Sequence, residues 1–65
     1  MRWKKATEIR PENNVRVLIC NENGYITIAR YDSRKDCFVD IIGMMYDNDE
    51  VMWQPVPELP EEWRK

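Results

Sequence analysis

The sequence predicts a small all-β fold, a three- to four-stranded antiparallel meander covered by an N-terminal arm and a proline-rich C-terminal tail. Three observations carry this expectation. Short β-branched runs recur at 15–20, 25–31 and 37–42, each bounded by polar turn residues. The first two flank Asn21-Glu22-Asn23-Gly24, where Asn and Gly tolerate the positive φ of a tight hairpin turn. The run Trp53-Gln54-Pro55-Val56-Pro57-Glu58-Leu59-Pro60 cannot be helix interior, because each proline ring removes a hydrogen bond and restricts the residue before it.

Taken in order, residues 1–14 are polar and irregular. Trp3, Ala6 and Ile9 recur every third position, which suits either one helical turn or an extended arm docking Trp3; Pro11 and Asn13-Asn14 end it. The first hairpin strand spans 15–20, with Val15, Val17 and Ile19 on one side and Leu18 and Cys20 on the other. The second spans 25–31, with Ile26 and Ile28 on one face and Tyr25, Thr27, Ala29 and Tyr31 on the other. Neither strand has a wholly polar face, so both faces of the hairpin are expected to receive some cover. The polar turn Asp32-Ser33-Arg34-Lys35-Asp36 leads to a third strand at 37–42, closed by Gly43. Met44-Met45-Tyr46 then runs into the acidic loop Asp47-Asn48-Asp49-Glu50, and a short fourth strand at 51–53 precedes the tail. Pro60 suits the first position of a last helical turn that carries Trp63. The expected core is Trp3, Val17, Ile19, Ile26, Ile28, Phe38 and Trp53.

A chain of 65 residues forms one domain, and one of this size buries only about 60% of its unfolded surface. Its core supplies on the order of 3–5 kcal/mol, so three Trp, three Tyr and one Phe must contribute disproportionately. With 10 basic and 12 acidic residues the net charge is −2, which argues against a dedicated binder of nucleic acid. No apolar run approaches membrane-spanning length, and Met1-Arg2-Trp3-Lys4-Lys5 leads into no signal-peptide core, so a cytoplasmic location is expected.

The chemistry-bearing residues are few. There is no His, hence neither the usual general base nor the commonest metal ligand. Cys20 and Cys37 lie within apolar strands and read as reduced, structural thiols. The loop at 47–50 lacks the spacing and central Gly of a calcium loop and reads as solvated. Asp32 and Asp36 flank an exposed turn, where carboxylates are expected to keep ordinary pKa values. No catalytic residue, metal site or cofactor is therefore assigned, and an enzyme is not expected.

Two surfaces remain as candidates. Trp53, Pro55, Pro57, Pro60 and Trp63 form a possible ligand-like tail for a protein partner; alternatively, Trp53 and Val56 pack inward and the prolines merely fix the tail's course. Arg2, Trp3, Lys4, Lys5 and Arg10 form an alternative basic-aromatic patch for nucleic acid. The leading expectation is a non-catalytic protein-interaction module whose partner is another protein or a second copy of the chain. A weak nucleic-acid-associated accessory protein is the alternative, and no membrane partner is expected.

The order Trp3, Pro11-Glu12, Val17-Leu18-Ile19, Ala29-Arg30-Tyr31-Asp32 and Trp53-Gln54-Pro55-Val56-Pro57-Glu58 resembles the DUF551 family of short bacterial, phage and prophage proteins. The resemblance runs from Trp3 to Pro60, and its most specific parts are the Trp3-to-Pro11 spacing and the Trp-x-Pro-x-Pro tail. Arg10 stands where the family usually has an apolar residue, Cys20 where Tyr is common, and Met52 where His often precedes the Trp. The resemblance implies a single small domain across 1–65 and a phage or prophage setting. It implies no activity, because the family has none assigned.

Overall fold

A computed structural model describes residues 3–57 and 60–63 of the chain. The fold is all-β, as expected, but it holds six strands rather than three or four: β1 (Lys4–Lys5), β2 (Arg16–Cys20), β3 (Ile26–Asp32), β4 (Cys37–Asp40), β5 (Met45–Asp47) and β6 (Met52–Pro55). A short 3-10 turn at Glu61–Trp63 follows, with the Trp63 amide donating to the Pro60 carbonyl at 2.9 Å. All strand pairs are antiparallel, in the order β1-β6-β2-β3-β4-β5. Strands β2 to β5 form a meander. Strand β6 then returns beside β2, so the expected simple meander is corrected at its last step.

That return forces the sheet to curl. β5 and β6 stand four strands apart in the order, about 19 Å across a flat sheet. Yet Asp47 and Met52 are five residues apart, a reach of at most about 18 Å. Curling brings the inner face around one core of Val17, Ile19, Ala29, Tyr31, Phe38 and Trp53, with Tyr46 packed against it. Ala6, from the turn after β1, and Val51, from the β5–β6 link, cap this core, and Pro11 is buried as well. Tyr31 and Phe38 are cross-strand partners with ring centroids 5.3 Å apart, a tilted aromatic contact.

The N-terminal segment is neither all helix nor all arm. Lys4 and Lys5 pair with Trp53 and Met52, after which the amides of Glu8 and Ile9 both donate to the Lys5 carbonyl at 3.0 Å, closing a single turn. Trp53 secures this cover, its indole Nε1 donating to the Ile9 carbonyl at 2.8 Å. Pro55 ends β6 past the last residue paired with β1, where its missing N–H removes no bond to that strand.

The hairpin forms as its turn residues dictate. Asn21 Oδ1 accepts the amides of Asn23 and Tyr25, the Gly24 amide donates to the Asn21 carbonyl at 3.0 Å, and Gly24 takes φ 87°. Three core expectations are corrected. Ile26 is 56% exposed, and Ile28 and Trp3 are only half-buried. The register explains the isoleucines: Val17 faces inward and pairs with Ala29, so Ile26 and Ile28 fall on the opposite face with Cys20 and Leu18. The expected strand at 37–42 stops at Asp40, because residues 41–44 form a turn.

Candidate functional site: an outer sheet face with an apolar rim

The outer face follows from alternation. With Val17, Ala29, Phe38 and Tyr46 turned to the core, the adjoining row of Arg16, Arg30, Val39 and Met45 is turned outward across four strands. Leu18, Ile28, Cys20 and Ile26 lie on the same side. At the end where β2 and β4 finish, the β4–β5 turn adds three more apolar side chains. Ile41 is 81% exposed, Ile42 74% and Met44 55%. Turns ordinarily carry polar residues; this one presents an apolar rim to solvent.

Asp40 holds the rim in shape. Its carboxylate Oδ1 accepts the amides of Ile42 and Met44, each at 3.0 Å, while Oδ2 accepts the Tyr46 hydroxyl at 2.8 Å. The Gly43 amide donates to the Asp40 carbonyl and the Asp40 amide to the Met44 carbonyl, both at 3.0 Å. Gly43 takes φ 87°, a left-handed conformation that favours glycine. Burial pushes the Asp40 carboxyl upward, but the hydrogen bonds from Tyr46, Met44, Ile42 and Gly43 outweigh it and hold the group below its ordinary range. Tyr46 is pushed up to about 12, first by its hydrogen bond to that carboxylate and then by burial. These bonds fix the conformation of the turn that carries the exposed rim.

The β5 edge is closed to strand addition over most of its length. The Asp40 amide bonds the Met44 carbonyl, so backbone groups of Met44 and Tyr46 point toward β4 and those of Met45 and Asp47 point outward. Both outward groups of Asp47 are occupied within the chain: its amide donates to Glu50 Oε1 at 2.8 Å, and its carbonyl accepts the Glu50 amide at 3.0 Å. Only Met45 offers a free pair along β5. The opposite edge, β1, consists of two lysines, a common guard against edge pairing.

The structure distributes the tail residues between core and surface. Trp53 is buried, with Lys4 Nζ 4.9 Å from its ring centroid. Val56 is half-buried, whereas Pro55, Pro57, Pro60 and Trp63 are exposed. β6 runs antiparallel to β2, so the tail leaves at the end of the sheet remote from the rim.

Among the described residues, the alternative basic-aromatic set is divided by burial, strand alternation and pairing with carboxylates. Arg2 lies outside the described residues, Trp3 is half-buried, and Lys4 and Lys5 alternate across β1. Lys5 lies 4.0 Å from Glu8, and Arg10 Nε donates to Asp36 Oδ1 at 2.8 Å.

Asp36 departs from the expectation of an ordinary exposed carboxylate. Its Oδ1 also accepts the Tyr31 hydroxyl and, at 3.0 Å, Asn48 Nδ2. The Tyr31 and Asn48 hydrogen bonds, followed by Arg10, hold its carboxyl below the usual range. Tyr31 is raised, first by the same bond to Asp36 and then by burial. Burial, followed by the charge of Asp32, raises the Cys37 thiol, which with Cys20 is free. These shifts move each group away from titration near neutral pH, opposite to the tuning of a nucleophile or general acid. Among the described residues no three Cys, Asp or Glu side chains gather as a metal-holding group. An open groove of about 650 Å³, lined by Lys5, Cys20, Glu22, Tyr46, Asp49 and Glu50 among others, lies between the β2–β3 turn and the β5–β6 link. No helix is long and apolar enough to cross a membrane among the described residues.

The residues of this site were legible only in part. Arg16 and Arg30 emerge as neighbours from the hairpin register, which the turn residues specify. The β-branched Ile41 and Ile42 predict strand at the rim, and the signal that marks it as a turn is Asp40 followed three residues later by Gly43. In comparisons with known proteins, no family model, curated protein or solved structure matches the chain, and the DUF551 resemblance rests on the residues quoted for it.

Proposed function

We propose that the chain is a non-catalytic protein-interaction module, in the bacterial, phage or prophage setting that the DUF551 resemblance implies. The observation that carries this reading is the rim: Ile41, Ile42 and Met44 stand exposed on a turn fixed by Asp40 and Tyr46. A domain with so little core gains nothing in its own stability from turning two isoleucines and a methionine to water. Their exposure makes sense as a surface covered by another molecule. Methionine suits such a surface, because its flexible thioether adapts to a partner's shape. The exposed Pro55, Pro57, Pro60 and Trp63 form a second candidate contact, in the tail that leaves the sheet at the end remote from the rim.

The test is affinity capture from bacterial lysate, with nuclease treatment and at two salt concentrations, comparing the wild-type chain with Ile41→Asp/Ile42→Asp. The reading expects a discrete protein that survives nuclease and is lost from the variant. Capture that disappears with nuclease, or is unchanged in the variant, contradicts it.

A further inference from the structure

Arg16 and Arg30 are direct cross-strand partners, both exposed on the outer face. Like charges placed directly opposite destabilise a sheet, and among the described residues neither arginine makes an ion pair. Arg30 also lines a concavity of about 440 Å³ with Asn13, Asn14, Asp32, Arg34 and Lys35. The one carboxylate there is already engaged: Asp32 Oδ1 accepts the amides of Arg34 at 2.9 Å and Lys35 at 3.3 Å. A protein of net charge −2 thus concentrates, on one part of its outer face, cations that have no ion-pair partner among the described residues.

The same row continues into apolar side chains. Arg30 pairs with Val39, and Val39 with Met45, which is 59% exposed. Arg16, Arg30, Val39 and Met45 therefore form a line across four strands, about 14 Å long. Two cations occupy one half and two apolar groups the other. An extended peptide crossing the strands presents a side chain to this row about every 7 Å.

We infer that the outer face receives an acidic–apolar segment of a partner protein, two carboxylates on the Arg16 and Arg30 half of the row and an apolar side chain on the Val39 and Met45 half. This rests on the interaction-module reading and names the chemistry of the partner. Charge complementarity selects a mixed segment over a nucleic acid, because Asp32, Cys37 and Asp47 form the next row and its two carboxylates repel a continuous phosphate backbone. The guanidinium groups match carboxylates in two-pronged geometry.

The probe is a synthetic peptide, Glu-Ser-Glu-Ser-Leu with blocked termini, whose three facing side chains span about 14 Å, titrated into the full chain at low salt and followed by NMR. Shifts are expected at the side-chain Nε–H groups of Arg16 and Arg30 and at Val39 and Met45. Binding is expected to weaken roughly tenfold when Arg16→Gln and Arg30→Gln are combined, equivalent to about 1.4 kcal/mol. It should weaken similarly when the peptide's Glu residues are replaced by Gln. Both arginines are exposed, so the variant folds, and near-UV circular dichroism verifies it. The inference is overturned by shifts confined to other residues, by no binding, by equal binding of the Gln peptide, or by an oligothymidylate that binds this row while the acidic peptide does not. If the peptide fails while lysate capture still depends on Ile41 and Ile42, the module reading stands and this assignment of partner chemistry falls.

Discussion

The Tyr46 hydroxyl donates to Asp40 Oδ2 at 2.8 Å, and the other oxygen of that carboxylate ties down the turn that carries Ile41, Ile42 and Met44. One buried carboxylate thus joins a core aromatic to an exposed apolar loop. Packing inside the domain and the shape of the surface offered outside are coupled through this pair.

Asp40→Ala removes the acceptor for two amides and a hydroxyl together. The amides of Ile42 and Met44 are expected to lose protection by on the order of tenfold or more, the equivalent of at least one hydrogen bond. The hairpin amides between β2 and β3 should keep theirs. Hydrogen exchange resolved by residue checks both halves of the statement, and unchanged protection at Ile42 and Met44 would show that the carboxylate does not hold the turn.

Trp53 separates volume from hydrogen bonding. Trp53→Ala should destabilise by about 3–5 kcal/mol, comparable with the whole stability of a domain this small. Trp53→Phe keeps most of the ring but loses the bond to the Ile9 carbonyl, a loss of about 1 kcal/mol. Denaturant titration of both variants gives the comparison; two equal losses would place the whole effect on the hydrogen bond.

Arg30→Glu sets an opposite charge across from Arg16. The account expects stabilisation of roughly 0.5 kcal/mol, because a like-charge cross-strand pair becomes an attractive one, together with weaker binding of the acidic peptide. A gain in stability with a loss in binding is the signature of residues retained for a partner. Thermal melts of the wild type and the variant measure the first half.

The pH profile has two edges. Asp36 and Asp40 have folded-state pKa values below their ordinary ones, so their contribution is fully present above about pH 4 and is lost as the pH falls through the lowered values. Tyr46 is raised, so its contribution is present below pH 10.0 and is lost as the pH rises toward about 12. Tyr31 shifts in the same direction. Stability measured from acid to alkali should therefore show falls at both ends and no step from these groups near neutrality. Asp40→Asn should make the acid fall shallower.

Much of this architecture could be read from residue chemistry. Asn21 and Gly24 specify the hairpin, and the proline spacing keeps the chain after Trp53 out of helix. The error at Ile26 and Ile28 has a specific cause. Side-chain apolarity alone turns isoleucine inward, whereas the hairpin register pairs odd-numbered residues with odd-numbered ones and places Ala29 and Tyr31 inside with Val17 and Ile19. Strand β1 was not legible, because two lysines carry no apolar pattern; they pair through their backbone with β6, where Lys4 also sets its Nζ near the Trp53 ring. Strand β5 was hidden by its shortness and by Gly43, which reads as a terminator although it shapes a turn between two strands. The network on Asp36 joins residues as far apart as Arg10 and Asn48, a proximity that exists only once the sheet has curled.

Site-specific photo-crosslinking tests the central claim most directly. A photoreactive phenylalanine analogue replaces Ile42 on the rim or, as a control, the exposed Glu12 of the N-terminal segment. After irradiation in bacterial cells, the account predicts a discrete cross-linked protein species from the Ile42 position and none from Glu12. The same species should disappear when Ile41→Asp is added. Equal cross-linking from both positions, or none from Ile42, would contradict the assignment of the rim as the docking surface.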